Sequence, residues 1–148
     1  MTNIIILFCT ILTGFLVGKH FEKREAQKYL FFCDLKKYVA LLKTNVNGRR
    51  LEVSVFNSEF AKSSSTVFAD YLANKQLPSF LSKSQKQLVQ SFFDSLSAVT
   101  SLQLLANLDY FEQLISAEFS AISAKVGNRQ ICIKLGILAG VMVGILLM

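Results

Sequence analysis

The chain has 148 residues, 52% of them hydrophobic and 18% charged, with a formal net charge of +6, a mean hydropathy of +0.42, one Pro and no Trp. That balance excludes a disordered or collagen-like chain. It is also poorer in charge than an ordinary soluble domain, where about a quarter of residues are charged, so part of the chain is expected in lipid.

Every Lys, Arg, Asp and Glu falls between Lys19 and Lys134. The first charge-free segment, residues 1–18, places Ile4, Ile5, Leu7, Phe8, Leu12 and Leu16 around all faces of a helix and is expected to be a transmembrane helix. A cleaved signal peptide would need basic residues before the apolar run and a small-x-small site after it; neither is present, so a retained anchor is expected. Cys9 follows Leu7-Phe8 rather than a small residue, which disfavours lipidation.

Residues 19–130 read as one α-helical domain. Phe31, Leu35, Tyr38, Val39, Leu42 and Val46 form a stripe at helical spacing, predicting a helix that continues to about Thr44 and closes in a left-handed turn at Asn45-Val46-Asn47-Gly48. Residues 19–50 also hold nine basic and three acidic side chains, the whole excess of positive charge. Two readings stay open for it: retention of topology with contact to anionic lipid, or a docking face for an acidic partner formed by Lys28, Lys36, Lys37, Lys43, Arg49 and Arg50. No nucleic-acid motif accompanies these cations, and no nucleic-acid partner is expected.

A short helix over 52–61 is expected to turn Val53, Phe56 and Phe60 inward. The Ser63-Ser64-Ser65-Thr66 run breaks it and offers an N-cap for a third helix, 67–74, carrying Phe68, Tyr71 and Leu72. Pro78 ends that stretch. Ser82 with Gln85 is a capping box opening a fourth helix with Leu88, Val89, Phe92, Phe93 and Leu96 inward, and Thr100 with Gln103 repeats the device. Leu104, Leu108, Phe111, Ile115, Phe119, Ile122 and Val126 then recur at steps of four and three. The stripe fits a free coiled-coil dimer or, as favoured here, a spine on which the shorter helices pack. No strand pattern competes, so the fold class is all-α: a cytosolic helical bundle flanked by two terminal transmembrane helices.

The last segment, residues 131–148, is the second expected transmembrane helix, interrupted only by Lys134, whose ammonium would snorkel to the headgroups. Cations flank both apolar segments on the inner side, so the domain between them is expected in the cytoplasm and both termini outside. Gly136, Gly140 and Gly144 in the last segment and Gly14 and Gly18 in the first repeat every fourth residue, a spacing that lets helices approach closely in lipid.

Chemistry is sparse. His20 is the only imidazole, and no nucleophile elbow, phosphate loop or His pair for a metal is present. The pairs Glu22 with Glu25 and Asp109 with Glu112 read as solvated faces, and the Cys residues as reduced packing thiols. No enzyme activity, cofactor, metal or small-molecule substrate is expected.

The run from Lys134-Leu135-Gly136-Ile137-Leu138-Ala139-Gly140 into Ile145-Leu146-Leu147-Met148 is similar to the C-terminal signature of the stage III sporulation protein AB family. Gly14 and Gly18, the helix-Gly-helix junction over 35–51 and the helical pair over 87–114 support the resemblance, whose layout covers nearly the whole chain. That family is similar to the inner-membrane platform protein of type II secretion. The resemblance implies a membrane scaffold subunit of the mother cell–forespore channel complex of sporulation, in the mother-cell outer forespore membrane. The expected partners are the sporulation ATPase of the same operon, the complex's other membrane subunits and membrane lipid. The alternative is a platform component of a general type II secretion or type IV pilus system. A holin-like protein also has two short spans, but would not need the long domain between them.

Overall fold

The computed structural model describes residues 2–48, 52–96, 101–126 and 129–146, with the backbone alone for 2–7, 101–102, 129–133 and 144. Among them the chain is all-α, with six helices: α1 (Thr2–Asn47), α2 (Val53–Ser63), α3 (Thr66–Asn74), α4 (Lys83–Ser95), α5 (Ser101–Val126) and α6 (Arg129–Leu146). They divide into two compact units. One joins α1 up to Ala26 with the chain from Ser123 onward; the other is Gln27–Ile122.

The 27–122 unit is built around the α1 stripe. Phe31, Phe32, Leu35, Tyr38 and Val39 are wholly buried, as are Phe68 of α3, Val89 and Phe92 of α4 and Ile115 of α5. The α5 repeat turns Leu108, Phe111, Ile115 and Ile122 into this core, so within the chain it is a spine. Aromatic rings meet at Tyr38, whose ring lies 5.2–6.1 Å from those of Phe56, Phe60, Phe68, Phe92 and Phe93. Edge-to-face pairs of this kind add about 0.5–1.5 kcal/mol each beyond area burial. The Tyr38 hydroxyl donates to Asn57 Oδ1 at 2.6 Å, so the one polar atom of this ring is satisfied.

Local signals set most helix starts. Ser82 Oγ accepts from Gln85 N–H at 3.3 Å while Gln85 Oε1 accepts from Ser82 N–H at 2.9 Å, the reciprocal capping box the spacing predicts. The buried Gln85 amide also donates to Glu118 Oε1 of α5 at 2.7 Å. Gln85→Ala therefore removes a cap and an interhelix bond together. Thermal unfolding of the full chain should show a loss of about 2 kcal/mol, against about 1 kcal/mol for a cap alone.

Elsewhere the sequence expectations need correction. Helix α1 runs three residues past Thr44, and no glycine among the described residues has positive φ; the left-handed closure falls on Lys75 (φ 57°) after α3. Gly48 instead donates to the Thr44 carbonyl at 3.0 Å. Val53 is 40% exposed because the inward face of α2 is already filled by Phe56 and Phe60. Ser65 is the N-cap of α3 but makes no side-chain cap bond; Asp34 of α1, itself buried, accepts from the Ser65 N–H at 2.8 Å. Thr100 and the Gly127-Asn128 step lie outside the described residues.

Among the described residues no helix is long and apolar enough to cross a membrane. The flanking helices expected from sequence fall short for two physical reasons. The charge-free part of α1 ends at Gly18, and Lys134 divides the apolar run of α6.

Candidate helix-packing and docking sites

Glycine within a helix costs about 1 kcal/mol relative to Ala, so its presence at regular spacing calls for a compensating contact. In the unit that holds the start of α1 and α6, that contact is backbone against backbone. A Cβ on Gly136 would stand 2.5 Å from the Gly14 carbonyl oxygen and 3.2 Å from Gly18 Cα; one on Gly140 would stand 2.6 Å from the Thr10 carbonyl oxygen. A Cβ on Gly14 would run into the Gly136 carbonyl and lie 3.3 Å from Gly140 Cα. Four of the five glycines singled out by spacing thus meet at one helix crossing. Gly144 lies in α6, among the residues described by backbone only. An open groove of 370 Å³ runs beside the crossing, with Thr13 and Val17 on one side and Ala139 and Val143 on the other.

The outer surface of this helix pair is apolar. Phe8 is 67% exposed, Leu16 and Leu138 58%, Met142 60% and Ile145 64%. Lys134 is also exposed, at the edge of the apolar run.

The cations of the α1 docking face are used unequally. Lys43 Nζ lies 2.5 Å from Asp109 Oδ1 and 3.0 Å from Glu112 Oε2 of α5. Hydrogen bonds to Asp109, then Glu112, hold its ammonium above the usual lysine range. The i, i+3 acid pair on α5 is therefore a clamp on α1, a correction to its reading as a solvated face. Its signal was the cation-rich segment of α1, but the pairing register could not be read without the fold. Lys36 packs its ammonium over the Phe119 ring at 5.3 Å. Lys28 is half-buried, Lys37 is exposed, and Arg49 and Arg50 lie outside the described residues.

A cleft of 570 Å³ opens between α2, α3 and α4, with Asn57, Tyr71, Lys75, Phe93 and Asp94 in its wall. Burial, then the Asp94 charge, pushes the Tyr71 phenol up to about 12; burial, then Tyr71, raises Tyr38 further. Lys75 lies over Phe93 at 5.3 Å. Among the described residues no three His, Cys, Asp or Glu side chains gather where a metal ion could be held.

No protein-family model, curated protein or solved structure matches the chain.

Proposed function

We propose that the chain is a non-catalytic membrane scaffold, its terminal apolar segments lodged in a bilayer and its helical domain in the cytoplasm. The observation that carries this reading is the uncharged, exposed apolar surface of the α1–α6 pair, which lipid would cover. Residues 1–18 extend about 27 Å at 1.5 Å per residue, against roughly 30 Å of hydrocarbon. Local thinning of the bilayer and snorkelling of Lys19 and Lys134 accommodate a shortfall of that size. Backbone contact at Gly14, Gly136 and Gly140 supplies the packing that drives helix association where hydrophobic burial gives none. On this topology both termini face outward.

The resemblance carried by the 134–148 motif supports a more specific role: a subunit of the mother cell–forespore channel that docks the complex's ATPase on its cytosolic side. The α1 cations support an acidic partner, and Lys37 is the one to test, since Lys36 and Lys43 are engaged with α5. The experiment is an affinity pull-down of the detergent-solubilised chain from sporulating cells, with partners identified by mass spectrometry. Recovery of the sporulation ATPase, reduced about fivefold by Lys37→Glu, is the expected result, equivalent to about 1 kcal/mol. Recovery of general secretion or pilus components instead would move the chain to that platform; recovery of neither overturns the docking role.

A further inference from the structure

A 26-residue helix on the surface of a bundle normally turns charge to solvent. Helix α5 does not. Its three carboxylates are spent on its neighbours: Asp109 and Glu112 hold Lys43 of α1, and Glu118 accepts from Gln85 of α4. The opposite face is exposed at Ala106, Tyr110, Gln113, Leu114, Ala117 and Ala121, and carries no charge. Tyr110 is 60% exposed and touches only the ring of its neighbour Phe111 among the aromatic side chains described. The steps of four and three between these positions keep them on one side of the helix over about four turns.

The pattern is also its own complement. Reversed about the midpoint between Gln113 and Leu114, the order brings Tyr110 over Ala117, Ala106 over Ala121 and Gln113 beside Leu114. The large ring meets the small side chain on each side of a two-fold axis. A charged partner helix would find no countercharge on this face, and the Gln and Tyr polar groups suit a protein surface better than hydrocarbon. A second copy meets neither like-charge repulsion nor a steric mismatch, and an isologous contact requires such self-complementarity.

We propose that the face of α5 formed by Ala106, Tyr110, Leu114, Ala117 and Ala121 is a homodimer interface in which two copies of α5 pack antiparallel about a two-fold axis beside Leu114. The contact joins chains independently of whatever docks on the α1 cations.

The test is disulfide cross-linking of the full chain in its native membrane fraction, with Cys9, Cys33 and Cys132 replaced by Ser. Tyr110→Cys co-expressed with Ala117→Cys should cross-link on mild oxidation, as should Ala106→Cys with Ala121→Cys. Each variant expressed alone should cross-link at no more than the level of Lys83→Cys on α4. In detergent, Ala117→Glu should weaken self-association about tenfold, or about 1.4 kcal/mol, with helical content unchanged by circular dichroism. Cross-linking of each variant with itself, or no cross-linking above the Lys83→Cys level, overturns the proposal.

Discussion

Gly14→Val should part α1 from α6 while leaving both helices intact. The added branch would enter the space of the Gly136 carbonyl, and Gly140 Cα stands 3.3 Å from the Cβ position, so only backbone is available to move. Overpacking against atoms that cannot rotate aside costs about 1–3 kcal/mol, enough to release a pair of helices that has little else to hold it in lipid. Thr13→Cys and Ala139→Cys, on the two sides of the same groove, report the pairing through a disulfide. That cross-link should form readily with Gly14 in place and fall about tenfold with Val. Gly48→Ala is the comparison, since the nearest atom to its Cβ is the Thr44 carbonyl oxygen at 3.3 Å and the change lies away from the crossing. Membrane retention should be unaffected by either substitution, because Val is more apolar than Gly. Loss of retention with Gly14→Val would show that packing, and not apolarity, keeps the chain in the membrane.

The second large effect is expected at Tyr38. Truncation to Ala removes the ring that five others surround and leaves a cavity bounded by three helices besides α1, a loss of about 3–5 kcal/mol measured by denaturant unfolding. Tyr38→Phe keeps the packing and forfeits only the bond to Asn57, about 1 kcal/mol. The two variants separate ring from hydroxyl. The phenol also carries a pH dependence. Burial lifts Tyr38 above the ordinary value of 10.0 and places Tyr71 at about 12, so folding holds both neutral. An acid whose folded pKa is raised contributes its full share below the unfolded value and loses it as pH climbs toward the folded one. Stability should therefore be flat up to about pH 10 and decline above it. Replacing both tyrosines by Phe should flatten that decline. Tyrosinate absorbance that rises only with unfolding would confirm that neither phenol ionises in the folded chain.

What could be read in advance followed the range of the interaction. The Ser82–Gln85 box and the α5 repeat depend on residues three or four positions apart, and both stand in the structure as their spacing predicts. The glycine crossing was legible as well, since a four-residue step marks one helix face wherever the partner lies. Asp34 was not legible as a cap. The amide it accepts belongs to a residue 31 positions later, and nothing local distinguishes that carboxylate from a solvated one. The Lys43 clamp failed for the same reason across 69 positions. Val53 was misplaced because periodicity gives the angle of a face but not its width, and two Phe side chains suffice to fill that of α2. The left-handed closure at Lys75 runs against residue preference; the Lys75 N–H bond to the Tyr71 carbonyl at 2.8 Å accompanies it there.

The hydrogen bond between Asp34 and Ser65 changes where this domain can come apart. A break between two short helices is ordinarily the place where a bundle loosens first, because its amides face water and few contacts hold it. Here the break is fastened to the middle of the longest helix by a carboxylate that has no water to return to. Lifting α3 away would strand that charge among Phe side chains, and holding α3 in place while α1 shifts would do the same. The 2–3 hairpin and the central part of α1 are bound to open together or not at all, so the seam one would draw through the Ser-rich run is closed, and α1 through α3 behave as one cooperative piece.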